Sequence, residues 1–197
     1  MNANGNRDVL LMRLYIGLVH YPVSNKNEQR IASAVTTVDL HDLARVARTY
    51  AARKFLVITP LADQQDLVDQ VRTHWTTGFG ASYNPDRKTA MELVAVLPSL
   101  DSAVESIRSV EGEDPFVMAT DAGRQEQNVL SFPEARALLH EDRPLFLLFG
   151  TAWGLDQQVL RQSNAVLEPI MGVDGYNHLS VRAAAAIILD RLVGFHP

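Results

Sequence analysis

Three side chains open a chemical reading of this sequence: His41, Arg45 and Arg48. At about 100° per residue along a helix they gather on one face, opposite the apolar Leu43, Val46, Ala47, Tyr50 and Ala51. Such a stripe is either a solvated polar face or a cationic surface for phosphate, because guanidinium forks match oxygen anions. A second group follows in Trp75, Phe79, Tyr83, Asn84, Arg87 and Lys88. Aromatic rings can stack bases while cations hold phosphates, although the same rings can simply cover a core. A third group, Tyr176, Asn177, His178, Leu179 and Ser180, lies ahead of an apolar helix. Ser180 is a good helix cap. It would serve a Ser-His-Asp hydrolase poorly, since no GxSxG elbow is present to expose it.

Other chemistries are excluded or weakened. There is no cysteine, so thiolate catalysis, disulfides and Cys-ligated zinc are ruled out. His74, His140 and His196 are isolated and lack metal-ligand spacing, and no metal site is expected. No Walker A motif occurs, and Gly78-Phe79-Gly80 lies too far along to be a dinucleotide fingerprint.

The elements that must position these residues read as alternating strands and helices. Strands are expected at Arg13–His20, Lys54–Thr59, Met91–Leu97, Pro115–Thr120, Pro144–Phe149 and Ala165–Pro169. Helices are expected at Asp39–Ala52 with Asp39 as N-cap, and at Ala62–Trp75, Asp101–Val110, Ser131–Leu139, Asp156–Gln162 and Val181–Val193. Val23–Ala32 and Thr76–Asp86 read as loops. Most strands are solidly apolar, which marks a parallel sheet covered on both faces. The fold class is therefore α/β: a doubly wound, mostly parallel sheet in one domain over residues 13–197, after a tail over 1–12 expected to be flexible. Ligands of such sheets bind beyond the carboxyl ends of the strands.

The 197 residues suit a single core, and 47% apolar with 21% charged residues describe an ordinary globular protein. No run of about eighteen apolar residues occurs, and the N-terminus is a poor signal peptide, so a cytoplasmic protein without a membrane partner is expected. The net charge of −5 argues against a general nucleic-acid binder. The charge is uneven, however. His41–Ala90 holds seven Lys/Arg against five Asp/Glu, and the rest holds eleven against eighteen.

Three segments together resemble the SpoU branch of the SPOUT methyltransferases. Asp39–Tyr50 (DLHDLARVARTY) with AARKFLVITP is similar to that family's first motif. Phe146–Leu155 (FLLFGTAWGL) is similar to the second, and Leu167–Ala186 to the third. The strand ending at Ala119-Thr120 falls where the family's first cofactor loop would be. The resemblance implies S-adenosylmethionine-dependent methylation of tRNA or rRNA, at a ribose 2′-oxygen or at guanine N1. It also implies a C-terminal trefoil knot and a homodimer through the C-terminal region. Chains are otherwise expected to be unknotted.

Carried over by position, the resemblance makes Arg48 the catalytic arginine, with Asp39 and Asp42 in place of two asparagines. An arginine is a poor base, so Asp39, Asp42 or His41 would accept the proton. The implied cofactor-binding residues are Ala119, Thr120, Phe149, Gly150, Thr151, Leu167, Ile170, Leu179 and Ser180. Arg45, Tyr83, Asn84, Arg87, Tyr176, Asn177 and His178 are expected to face substrate. Ala152 stands where the branch commonly has glutamate, and His178 where it has asparagine. Those departures keep two other functions open: a nucleotide- or S-adenosylmethionine-binding regulatory module of the same fold, and an unrelated α/β hydrolase.

Overall fold

A computed structural model describes residues 12–123, 125 and 128–194. The expected flexible tail lies almost wholly outside the described residues, as does His196. Seven strands form one sheet in which every pair is parallel: β1 (Leu14–Val19), β4 (Lys54–Ile58), β5 (Val94–Leu97), β6 (Phe116–Thr120), β7 (Val129–Leu130), β8 (Leu145–Gly150) and β9 (Ala165–Leu167). Their order is β5-β4-β1-β8-β6-β9-β7. β8 thus enters between β1 and β6, and β9 between β6 and β7, each inserted among strands laid earlier. Two further strands, β2 (Val23–Ser24) and β3 (Arg30–Ile31), pair antiparallel as a small hairpin.

Strand alternation feeds two cores. Leu14, Ile16 and Leu18 of β1 and Leu145, Leu147 and Phe149 of β8 face one side. There they meet α1 (Thr37–Thr49), α2 (Ala62–Thr76), α4 (Pro85–Met91), α6 (Phe132–Leu138) and α8 (Val181–Val193). Tyr15, Val19, Phe146 and Leu148 face the other side, under α5 (Leu100–Glu111), α7 (Gln157–Gln162) and the hairpin. The doubly wound α/β sheet expected from apolar strands is the sheet observed. At its amino-terminal edge Glu111 takes Arg13 at 2.7 Å and Arg53 at 2.5 Å, tying β1 and β4 to α5 away from the ligand-binding edge.

Three local expectations are corrected. Thr36, not Asp39, caps α1: its hydroxyl accepts from the Asp39 N–H at 3.1 Å and donates to the Asp39 carboxylate at 2.6 Å. Asp39 is thereby moved into the first turn. Residues 76–86 are not a loop but hold α3 (Phe79–Tyr83) and the start of α4. Gly80 lets α3 fold onto α2, since a Cβ there would lie 2.6 Å from the Trp75 ring. The Asn84 side chain then caps α4 by accepting from the Arg87 N–H at 2.9 Å, with Pro85 in the first turn. The segment read as the loop 23–32 contains the β2–β3 hairpin, whose two short strands are below the length at which alternation is visible.

Candidate active site

Beyond the carboxyl ends of the adjacent strands β8, β6 and β9 lies a cavity of about 820 Å³. Four chain segments wall it: residues 33–39, 120–123, 149–154 and 168–182. Its size lies within the range of small-molecule sites.

The wall at 149–154 is held by its backbone. A Cβ on Gly150 would lie 2.5 Å from the Leu155 nitrogen and 2.7 Å from the Gly154 carbonyl carbon, so only glycine lets the loop fold back this tightly. The loop is tied to the hairpin: Ser24 N–H donates to the Gly154 carbonyl at 3.0 Å, and Trp153 N–H to the Ser24 carbonyl at 3.2 Å. Arg30 of β3 adds a two-pronged grip on Asp156, the cap of α7, at 2.9 and 3.0 Å. The hairpin is therefore the brace of this wall.

The wall at 168–182 is pinned at both ends. Asn177 donates through Nδ2 to the Ala122 carbonyl at 2.6 Å, closing the loop against the residues after β6. Ser180 caps α8, accepting from the Ala183 N–H at 3.3 Å. Arg182, one turn on, donates to Asp39 at 2.5 Å and lies 3.3 Å from Asp42. Phe149, Ile170, Leu179 and Ile188 supply apolar lining, and Asp39, Asp121 and Glu168 supply carboxylates. Glu168 accepts from the Phe132 N–H at 2.6 Å. Asp121 accepts from the Gln125 side chain at 2.5 Å and, among the described residues, pairs with no cation.

Behind the wall at 33–39 sits His20, wholly buried at the end of β1. Its Nδ1 is 2.9 Å from the Ser33 hydroxyl, which is 2.5 Å from the Thr151 hydroxyl; Thr151 donates to the Val19 carbonyl at 3.0 Å. Only one proton arrangement satisfies all three contacts. Thr151 gives its proton to the carbonyl, Ser33 gives its own to Thr151, and His20 carries a proton on Nδ1. Nε2 is then a bare acceptor, and among the described residues it has no partner. Burial pushes the His20 imidazole down to about 4 despite the pull of Asp39, so it is neutral at neutral pH.

The sequence-derived residues divide clearly. Thr120, Phe149, Gly150, Thr151, Ile170, Leu179, Ser180, Asn177, His178 and Asp39 line the cavity. Ala119 and Leu167 do not: both point into the cores, Ala119 one residue short of the end of β6 and Leu167 as the last residue of β9. Tyr176 is exposed beside His178, ring edge to face at 5.4 Å. Asp42 binds Arg182 and is not a lining residue. Arg48 lies in the last turn of α1, exposed, and nine residues from Asp39, which is about 13 Å along a helix axis. It does not line the cavity of its own chain. His41 packs edge-on against Trp75 at 5.5 Å, and burial, aided by Arg87, lowers its pKa. Arg45, Tyr83, Asn84 and Arg87 belong to that outer helical face, with Asn84 used as a cap. The sequence reading missed Ser33, Asp121, Trp153, Glu168 and Arg182. Asp121 and Glu168 follow directly on apolar strands, a signal that could have found them.

The family model of SAM-dependent RNA methyltransferases matches residues 13–194, every strand of the sheet included. The chain belongs to this family. A hydrolase of unrelated ancestry is thereby set aside. Among its relatives is a protein of Oleidesulfovibrio alaskensis named tRNA (guanine-N(1)-)-methyltransferase, 44% identical over 92% of this chain but only 42% of its own length. The chain thus spans less than half of that relative. A protein of Aquifex aeolicus, uncharacterized by name, is 36% identical over 91% of the chain and 87% of its own length. In fold, the chain resembles AviRb of Streptomyces viridochromogenes, a SpoU methyltransferase solved with AdoMet, at a TM-score of 0.57 and 18% identity over 91% of this chain and 56% of the other. The α/β architecture is accordingly that of SpoU methyltransferases. No helix of the described residues is long and apolar enough to cross a membrane.

Proposed function

We propose that this chain transfers a methyl group from S-adenosylmethionine to guanine N1 of a tRNA at the mouth of the β8–β6–β9 cavity. The observation that carries the reading is the cavity itself: three loops at the carboxyl ends of adjacent parallel strands, meeting around apolar and carboxylate lining. The residues present fit this cofactor. Phe149, Ile170, Leu179 and Ile188 suit an adenine ring, and the Asp121 carboxylate suits a cationic group. When bound, S-adenosylmethionine supplies an electrophilic methyl carried on a sulfonium.

The protein's share of the work is positioning and proton removal. A carbon–nitrogen bond forms as the carbon–sulfur bond breaks, and the acceptor must lie within about 3–3.5 Å of the methyl. Asp39 is held by Arg182 and Glu168 accepts from the Phe132 N–H, so Asp121 is the carboxylate left to take the N1 proton. Guanine N1–H is more acidic than a ribose hydroxyl and matches a carboxylate acceptor better. The name of the Oleidesulfovibrio relative supports the same atom. Because that relative is more than twice as long as the matched segment, its name alone does not assign the chemistry to this part. His178 and Tyr176, at the rim, would face the target nucleotide. Arg48 could act only in the cavity of a second copy, which accords with a homodimer. Exposed Trp153, Met171, Val173 and Tyr176 around the mouth favour such a contact. A knotted C-terminal passage, with β8 and β9 inserted among earlier strands, and a cytoplasmic site of action belong to the same reading.

Calorimetry with S-adenosylmethionine, and mass spectrometry of nucleosides from tRNA incubated with the protein and labelled cofactor, test the reading. Cofactor binding with labelled 1-methylguanosine supports it. Labelled 2′-O-methylnucleosides would replace the acceptor atom. Binding without any labelled product would favour the regulatory module.

A further inference from the structure

We infer that α1, α3 and α4 together form an RNA-docking face outside the cavity, with Phe79 and Tyr83 as a stacking platform for an unpaired base and Arg45 and Arg87 as phosphate contacts. The inference rests on the RNA methyltransferase reading for the nature of its partner.

Three helices meet at one half-buried ring. The Arg87 guanidinium of α4 lies 4.4 Å above Trp75 of α2, and His41 of α1 meets the same ring edge-on. This junction fixes α1 beside α4. Next to it Phe79 and Tyr83, one helical turn apart on α3, stack with centroids 5.9 Å apart at 23°. Both are about three-quarters exposed. Two stacked, largely exposed rings on a five-residue helix contribute little to a core. They offer an aromatic surface that base stacking uses without regard to sequence.

The charge beside them has one sign available. Arg45 is exposed, and neither it nor Arg87 pairs with a carboxylate among the described residues. The neighbouring acids are mostly engaged: Asp42 by Arg182, Asp69 by Arg72 and Glu92 by Lys88, leaving Asp86. On α5, by contrast, Arg108 is itself paired with Glu105 and Asp114. A chain of net charge −5 that leaves Arg45 exposed, and Arg87 seated on Trp75, without a carboxylate partner among the described residues beside exposed aromatics is suited to a polyanion carrying bases. Distance links the face to the cavity. Arg45 follows Asp39 by six residues, about 9 Å along α1. An RNA lying along α1 would reach the cavity mouth within two or three nucleotides.

The test uses the full chain, fluorescein-labelled bulk tRNA, and anisotropy titrations over a series of salt concentrations. The double variant Phe79→Ser/Tyr83→Ser should weaken binding about tenfold or more, with an unchanged salt slope. Arg45→Gln/Arg87→Gln should weaken binding and lower the log–log salt slope by roughly two. Calorimetric affinity for S-adenosylmethionine should stay at the wild-type value in both. Wild-type tRNA affinity in both double variants would overturn the docking face. So would a loss of dimer in sedimentation with tRNA binding intact, which would make the face a protein interface. Failure of wild type to bind S-adenosylmethionine would strike at the enzyme reading alone, because tRNA binding is measured without cofactor.

Discussion

Arg182 and Asp39 join the first and last helices of the domain across the mouth of the cavity, at 2.5 Å. Asp39 is nearly buried, with 10% of its side chain exposed, and Arg182 retains 35%. Removing Arg182 strands a carboxylate that water reaches poorly. Arg182→Ala should cost about 1–2 kcal/mol in urea denaturation, below a fully buried pair because the guanidinium is still partly solvated. Asp39→Asn combined with Arg182→Ala should recover part of the loss. Additive losses in that cycle would show the two side chains to be uncoupled.

Gly150 sets a sharper requirement. In Gly150→Ala the new methyl meets backbone, not a side chain that can swing away. Affinity for S-adenosylmethionine should fall roughly tenfold or more, read by calorimetry. Wild-type affinity would mean that the loop at 150–154 is not a cofactor wall.

Asp121→Asn separates charge from shape. If the carboxylate faces the sulfonium, affinity for S-adenosylmethionine should fall several-fold more than affinity for S-adenosylhomocysteine, whose sulfur is neutral. Methyl transfer should fall further still, by about a hundredfold, on loss of the proton acceptor. Equal loss for both ligands would remove the electrostatic role.

His20 gives a pH dependence with a defined sign. Its folded-state pKa, about 4, lies below the ordinary 6.5. On acidification the unfolded chain takes up the proton first, so the stabilisation present above pH 6.5 is lost as pH falls toward 4. At full effect this is worth about 3 kcal/mol. The urea midpoint of wild type should therefore fall more steeply between pH 7 and pH 4 than that of His20→Asn. Parallel profiles would show that the imidazole is not held neutral.

The sheet was readable because its strands are apolar on both faces and its helices carry regular stripes. Leu14–Val19 and Leu145–Gly150 announce themselves by composition alone. The loops that line the cavity were readable by position, since glycine and small polar residues follow those strands. What could not be read was set by long-range contact. Nothing near Arg182 in sequence points to Asp39, and only the folded chain shows that the two aspartates of the first helix serve an ion pair. Thr76–Asp86 reads as a loop because its glycine, proline and asparagine are turn residues. Here Asn84 and Pro85 act as a helix start, and Gly80 as a packing contact. Arg48 was placed by motif, and motif position carries no information about which end of a helix meets the cavity.

The pairing of β1 with β8 has a consequence for the newborn chain. Val19 accepts from Thr151, 132 residues later, so β1 gains its neighbour β8 only after that much more chain has been made. At about 5–20 residues per second, the ribosome leaves that edge open for roughly 7–26 s. Throughout the wait Leu14–Val19, apolar on both faces, presents unpaired backbone to anything that can add a strand. Yield in cells should then be governed less by the stability of the finished domain than by what shelters β1 during translation.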